Sequence, residues 1–470
     1  MLQDLRLVTN KVNQHLREES NNATRAKKEM FNLKQMCPVD SLRDYAARLY
    51  PICRSITGNG FLSSLNILEE IMPMERHQFD TGEDVLDWTI PNEWNIRDAY
   101  IITPDGNKIA NFKESNLHIV GYSEPVDKDV SFEDLLEHLH TLPSMPDAVP
   151  YVTSYYRRNW GFCISQKQLD SLKPGTYHVT IDSDLEPGKL TIAECVLPGE
   201  TDSEILLSSY LCHPSMGNHE LGGSISLIFL YKILKATGPH RNTFRFLICP
   251  ENIGSAAFLS LYGEHLKNKL VGGYVVNCVG HGEEFTYKKS RQGNSQTDLA
   301  AQNVLQRRSR PYFEVDFYPD GSDERQFCSP GYNFPIGLVM RTMYGKFPEY
   351  HTSLDDLAFL NVEILQESIL TYFEILKSLD INFRPLGRVQ HGTPQLSKSQ
   401  IPLYRDSMNF RIQEKEERTR VLLEILNCAD GEQTLLEIAQ QKNFLLLDYS
   451  DLVQDLLDCN YLSIAEGDSE

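Results

Sequence analysis

The sequence predicts an α/β protein built on a mixed, largely parallel sheet flanked by helices. Short apolar runs near 205–210, 244–249, 273–279 and 336–341 read as buried strands. Helical patterns such as those over 224–236 and 254–266 fill the intervals between them. Alternation of this kind covers both faces of a sheet with helices. At 470 residues, 41% of them hydrophobic, the chain is long enough for two or three domains and apolar enough for real cores.

In chain order, residues 1–37 are polar and charge-mixed with thin helical spacing, so they are expected to form an N-terminal extension, either a frayed helix or an oligomer contact. The α/β domain is expected over 38–79 and 126–386. It opens with an amphipathic helix over 41–50, with Ser41 as its cap, and a second helix over 61–71. From 80 to 125 the pattern changes to short alternating strands, including a hairpin around Asp105-Gly106. This is read as an inserted small β-domain, whose Trp88 and Trp94 supply either its own core or a wall of the site. A helix is expected over 131–142 and a β-hairpin from Thr176 onward.

The segment 387–402 is rich in Gln, Ser, Pro and Gly, as linkers are. Beyond it, 390–470 is expected to be a separate domain. Helical patterns over 414–426, 431–440 and 449–457 precede Tyr461-Leu-Ser-Ile, an order that resembles a winged helix-turn-helix. Residues 401–470 hold 15 acidic and 6 basic side chains, the wrong sign for a DNA-reading module. A protein contact or a dimerisation unit is expected instead.

The chemistry concentrates at strand ends. Leu211-Cys-His-Pro-Ser-Met-Gly-Asn-His-Glu-Leu-Gly-Gly223 follows the first apolar run, which places His213, His219 and Glu220 where a strand gives way to a glycine-containing loop. Ligands of open α/β sheets collect just outside the carboxyl ends of strands, and imidazole and carboxylate are ligand types that zinc prefers. Polar residues at loop starts are ordinarily just solvated. Here, however, Thr243-Phe-Arg-Phe-Leu-Ile-Cys-Pro-Glu251 delivers Glu251 in the same way, and Gly273-Tyr-Val-Val-Asn-Cys-Val-Gly-His281 delivers Asn277 and His281. His351 sits in the polar loop Gly345-Lys-Phe-Pro-Glu-Tyr-His-Thr-Ser-Leu-Asp-Asp356. Several such coincidences propose a metal site.

These motifs, His-Pro-Ser…Asn-x-Glu-Leu-x-Gly, Pro-Glu-x-Ile-Gly-Ser and Tyr-His-Thr-Ser-x-Asp-Asp, resemble those of the bacterial aminopeptidase-like proteins of unknown function. That group is distantly related to the co-catalytic zinc aminopeptidases. The likeness runs from about 41 to 383 and includes Asp87-Trp-Thr-Ile-Pro-Asn-Glu-Trp-Asn-Ile-Arg-Asp-Ala-Tyr100 and Tyr151-Val-Thr-Ser-Tyr-Tyr156. It implies a zinc-exopeptidase-like fold, one or two zinc ions, and His213 and His351 as ligands. Where those aminopeptidases carry a bridging aspartate this chain has His219. Their Glu-Glu pair reads Pro250-Glu251, and a further aspartate falls at Asn277 or, in nearer relatives, at His281. A neutral imidazole offers one lone pair and cannot bridge two cations as a carboxylate does. A single zinc on His213, Glu251 and His351, with His219 or His281, is therefore easier to build. If Glu251 is a ligand, Glu220 or Glu349 has to serve as general base, and the sequence does not decide between them; if it is not, Glu251 is itself a candidate.

Arg341 and Arg325 could clamp a substrate carboxylate or pair with neighbouring acids such as Asp355 or Asp356. Asp323 and Glu324 could hold a substrate amine; Asn277 and Arg291 complete the substrate-binding candidates. The formal net charge of −20 argues against nucleic acid and anionic membranes as partners. Ten scattered cysteines, none in a Cys-x-x-Cys pair, read as buried free thiols. No apolar run approaches a membrane span, and the N-terminus has no secretory pattern, so a cytoplasmic protein is expected. The expectation is a zinc-dependent hydrolase of an amide bond in a small peptide or aminoacyl conjugate. The alternatives are a catalytically impaired relative that binds or scaffolds, and a metal-assisted amide-forming enzyme of a small-molecule pathway.

Overall fold

The computed structural model describes residues 32–308, 311–398 and 413–465. Residues 1–31 of the N-terminal extension expected at 1–37, and 399–402 at the end of the linker, lie outside the described residues. The main sheet has eight strands: β1 (Glu75–Asp80), β2 (Lys189–Leu197), β3 (Glu204–Tyr210), β4 (Thr243–Cys249), β5 (Leu270–Val275), β6 (Phe285–Lys288), β7 (Tyr312–Val315) and β8 (Ile336–Met340). They lie in the order β1-β2-β4-β3-β5-β8-β6-β7. The inner four, β4, β3, β5 and β8, are mutually parallel, while β1, β2 and β6 pair antiparallel with their inner neighbours. The sheet is therefore mixed with a parallel centre. Strand order reverses around β3: the chain passes from β3 outward to β4, then returns across β3 to β5. A crevice opens at the carboxyl ends of strands at such a switch point.

Side-chain alternation along the buried strands feeds two cores. In β3, Ile205 and Leu207 face one apolar cluster and Leu206 the other. The first cluster is covered by α1 (Val39–Leu49), α2 (Gly222–Thr237), α4 (Gln296–Leu305) and α5 (Val362–Asp380), and the second by α3 (Ile253–Lys269) and the β-unit described below. Gly223 lets α2 lie directly on the sheet, since a Cβ there would stand 2.1 Å from the Val276 carbonyl oxygen. The first helix begins at Val39, earlier than its sequence pattern suggested. Ser41 therefore lies inside the first turn, its amide bonded to the Pro38 carbonyl, and its side chain caps nothing.

The β-unit extends beyond the interval 80–125. Its four strands, Lys108–Ile109, Glu93–Ile102, Thr176–Glu186 and Val126–Ser131, are arranged in that order, so its longest strand comes from far downstream. The register Ala99↔Ile181 and Val126↔Ile181 makes Thr176–Glu186 the shared partner. Alternation shows that a segment is a strand but not which strand it pairs with. The hairpin at Asp105-Gly106 forms as expected, with Gly106 at φ +82°. Trp94 packs into the second core and stacks on Tyr122, while Trp88 is half-buried against Tyr156. The helix expected over 131–142 is only Phe132–Leu136, capped by Ser131. Leu139–His140 leave it to pair with Phe162–Cys163.

At the C-terminal end, helices Gln413–Cys428, Leu435–Lys442 and Ser450–Asp458 precede a strand, Leu462–Ile464, that pairs with Pro385–Gly387. Their apolar side chains, Leu422, Ile425, Leu436 and Leu456 among them, belong to the same core as α5. Asn303 of α4 joins them through the Phe444 carbonyl and the Leu446 amide. None of the ten cysteines forms a disulfide, and no helix among the described residues is long and apolar enough to cross a membrane.

One continuous core makes a measurable demand. Leu436→Ala removes a fully buried side chain and should cost about 2–5 kcal/mol. Urea unfolding should show a single transition at a lower midpoint. Two separated transitions would mean that the C-terminal helices fold as an independent unit.

Candidate metal centre

β3 ends at Tyr210, and Leu211 extends its pairing with one more bond to the Cys249 carbonyl, so His213 emerges at the sheet edge. The chain then turns through Ser215 at φ +48° and enters a π-helical turn, Gly217–Leu221, before α2. Such wide turns recur at functional sites because the extra residue re-aims side chains. Here it turns both His219 and Glu220 inward, and both are buried. Its free amides are met by Asp355, whose carboxylate accepts from Asn218 N–H at 2.7 Å and His219 N–H at 2.9 Å. Asp355 follows His351 by one turn of chain, so a single side chain ties the His351 loop to the His219 loop.

Three imidazoles converge. His213, His219 and His351 each offer a ring nitrogen within 4.8 Å of the other two. His213 Nδ1 donates to Glu220 Oε2 at 2.7 Å, and its Nε2 faces Glu251 Oε2 at 3.8 Å, beyond hydrogen-bond range. His219 Nε2 lies 2.9 Å from the Tyr210 hydroxyl, which leaves its buried Nδ1 without a partner. His351 Nε2 is likewise buried and unpartnered, and its ring stacks on Tyr350 with centroids 3.9 Å apart. Burial, reinforced by the neighbouring histidines, holds His219 well below the ordinary imidazole range. Burial and His213 lower His351 to about 3. Both are therefore neutral at pH 7, the form that ligates metal. Burial also pulls His213 down, but Glu220 more than offsets it and leaves this ring above its usual value.

Glu251 arrives from the end of β4. Burial, ahead of every other influence, pushes its carboxyl up to about 8; His213 opposes the shift, and Asp323 and Glu220 add to it. Asp323, on a loop before β8, accepts from Asn252 N–H at 2.6 Å and Ser255 Oγ at 2.8 Å, while its Oδ2 is buried without a partner. Burial raises that carboxyl to about 7. Asn277, at the end of β5, bonds to Ser322 and keeps Oδ1 unpartnered. Four non-glycine residues here occupy left-handed backbone: Ser215, Asn252, Cys278 and His351. Strain of this kind gathers where side chains must be aimed rather than merely packed.

The remaining sequence candidates divide. His281 stacks on Phe359 with centroids 3.7 Å apart and bonds to the Phe359 carbonyl, outside the three-histidine cluster. Its ring follows a turn that carries it away from the strand end. Glu220 is not free to move a proton, because both oxygens are taken by the amide and the Nδ1 of His213. Glu349 shapes the loop through its carbonyl, which accepts from Thr352. Arg341 is no rim residue: 1% exposed, it bonds to Ser368 and the Glu283 carbonyl, pairs with Glu367 and lies over the Phe285 ring. Glu324 pairs with buried Lys288 at 2.6 Å. Arg325 reaches Asn252 Oδ1 at 2.7 Å, beside Glu251, whereas Arg291 is exposed on a distant turn.

Sequence reasoning missed the tyrosines. Tyr151 lies 5.1 Å from the His213 ring and 5.3 Å from the His351 ring, and its hydroxyl meets that of Tyr155 at 2.9 Å. The strap carrying them is clipped to the His351 loop: Tyr151 N–H donates to the His351 carbonyl and Ser353 N–H to the Val149 carbonyl. Their only signal was the unusual string that begins at Tyr151. Asp355 had been read as a salt-bridge partner and not as a cap.

Residues 43–382 match the model of a domain of unknown function, DUF4910. A Clostridium acetobutylicum protein named for polysaccharide biosynthesis and an aminopeptidase-like domain is 42% identical over 394 residues, covering 83% of this chain and 88% of its own. A crystal structure of a protein from Clostridium acetobutylicum, named as a peptidase, superposes with a TM-score of 0.84 at 37% identity, over 93% of this chain and 99% of that one. The zinc aminopeptidase BSAP from Bacillus subtilis shares the fold at a TM-score of 0.53 and 11% identity, over 72% and 94% of the two chains.

The raised carboxyls set a pH dependence. In chelator-treated protein, Glu251 at about 8 and Asp323 at about 7 hold protons that the unfolded chain, near 4.5 and 3.8, has already released. These two acids therefore make stability fall as pH rises from about 5 through 8, while the neutral His219 and His351 oppose them up to the ordinary imidazole range near 6.5, so the net fall is expected from about 7 to 8. Urea midpoints across that window should decline, and Glu251→Gln should flatten the slope. A midpoint that climbs with pH would contradict the burial of these two acids.

Proposed function

The chain belongs to the DUF4910 family, whose aminopeptidase-like members share its fold, and from that membership and the site we propose that it is a zinc-dependent hydrolase of an amide bond in a small peptide or aminoacyl conjugate. One observation carries the reading. Three imidazoles converge, two of them held neutral with an unpartnered ring nitrogen, and a proton-holding carboxyl stands beside them. That donor set suits one ion on His213, His219 and His351, with an open position for substrate or water. Zinc bound there would supply Lewis acidity to the scissile carbonyl and to water.

The residues of the chain do the rest. Glu251 Oε2, beside His213 Nε2 yet not bonded to it, would accept a proton from water and return it to the leaving amine; burial raises its carboxyl to about 8 without the ion, and a cation beside it would lower that toward neutral pH. This makes Glu251 the acid–base group and not a ligand. The unpartnered oxygens of Asp323 and Asn277 are acceptors suited to a substrate amine. Tyr151 and Tyr155, whose phenols burial keeps protonated, wall the cleft opposite. The relative named for polysaccharide biosynthesis brings in a second substrate class: an N-acylated amino sugar presents the same amide bond.

The test is metal content and turnover in protein purified without a nickel-loaded tag. About one zinc per chain is expected, lost in His213→Ala and in His351→Ala. Glu251→Gln should keep the zinc while kcat on peptide or N-acyl amino sugar substrates falls by about 10²–10⁴-fold. Loss of zinc from Glu251→Gln would make that residue a ligand instead, and a wild type that refuses zinc would end the metallohydrolase reading.

A further inference from the structure

Arg54 enters in the segment Pro51-Ile-Cys-Arg-Ser-Ile56, between α1 and the helix Asn59–Leu68, more than 150 residues before the first candidate ligand. It is 1% exposed. A buried guanidinium is tolerated only with compensating charge and hydrogen bonds. Nη1 donates to the Leu49 carbonyl at 2.6 Å and to Ser64 Oγ at 3.3 Å; Nε and Nη2 have no hydrogen-bond partner. The carboxylate that faces it is Glu220, with Nε 3.8 Å from Oε1 and both side chains fully enclosed.

The spacing of this pair is informative. Elsewhere in the core Arg245 grips Glu204 through two close bonds, 2.7 and 2.8 Å, and so occupies both carboxylate oxygens. Arg54 stands off from Glu220, leaving Oε1 to the His213 amide at 2.9 Å and Oε2 to His213 Nδ1 at 2.7 Å. Cation, carboxylate and imidazole thus form a line ending at a candidate ligand. A carboxylate that receives only two donors needs a further positive partner in a dry interior. A carboxylate on the far nitrogen of a ligating histidine fixes the ring and its tautomer.

We propose that Arg54 is a positioning residue of the metal centre: its charge fixes the Glu220 carboxylate in the orientation that clamps His213 by amide and Nδ1, turning Nε2 toward the ion. The inference rests on the three-histidine reading above. Nothing in the His-Pro-Ser or Asn-His-Glu motifs reveals it, because the arginine comes from the chain before the β-unit.

Two readouts test it. Zinc affinity, measured by chelator competition, should weaken by about 10–100-fold in Arg54→Met and recover most of the way in Arg54→Lys. In metal-free protein labelled with 15N-histidine, the His213 Nδ1–H resonance should be present in wild type, lost in Arg54→Met and restored in Arg54→Lys. Unchanged affinity and an unchanged resonance in a folded Arg54→Met would overturn the proposal. If Arg54→Met does not fold, Arg54→Lys is compared in two backgrounds. It should lower affinity mildly in wild type and not at all in Glu220→Gln; equal losses in both would overturn the proposal. A wild type that binds no zinc, but whose His213 resonance still depends on Arg54, would remove the metal reading and leave the positioning of His213 standing.

Discussion

The Asp355 carboxylate accepts the amides of Asn218 and His219 from the π-helical turn, while its own backbone carbonyl accepts the amide of Gly217. The centre depends on that contact more than on any other. A turn of this width leaves several amides without intrahelical partners, and a buried orphan amide costs as much as a lost hydrogen bond. Asp355 meets the cost with a residue of the loop that also holds His351. The loops that carry His219 and His351 are thereby set at a fixed separation, with the two rings edge to face and their centroids 4.7 Å apart. Burial raises the Asp355 carboxyl to about 6, against the pull of those same amides.

Around this anchor the site divides its charges. On the cluster side burial keeps His219 and His351 neutral, and on the flank burial raises the carboxyls of Glu251 and Asp323. One force, the cost of placing charge in a dry interior, thus lowers the imidazoles and raises the carboxyls. Glu220, between them, accepts a backbone amide and an imidazole and faces a guanidinium. Glu220 and Glu251 thus face opposite nitrogens of the His213 ring, one hydrogen-bonded and the other not.

How much of this was legible in the sequence follows from the range of each signal. The inner strands, their order of appearance and the delivery of His213, Glu251 and Asn277 at strand ends could be read, because apolar runs and the residues after them are local. Pairing across distance could not. Nothing near Glu93 announces that its strand will lie against Thr176–Glu186, and so the β-unit was bounded too early. Arg341 misled for the opposite reason: it follows a strand as a site residue would, but α5 and the Phe285 ring close over it. His281 failed similarly, since the strand it was expected to end stops at Val275 and Phe359 captures the ring. Arg54 and Asp355 act through backbone and second partners, which leave no pattern in a single chain.

The β-unit has a further consequence for assembly. Its strand Glu93–Ile102 waits for Thr176–Glu186, and the strap with Tyr151 and Tyr155 lies within the loop that this pairing closes. Non-local pairing of this kind must meet its loop-closure entropy before any contact repays it, so it is slow. Among the parallel strands, β3 and β4 are joined through the π-helical turn and α2 alone and β4 and β5 through α3 alone, so those connections are shorter. The tyrosines beside the imidazoles are thus held by a strand pairing whose two halves lie far apart in the chain.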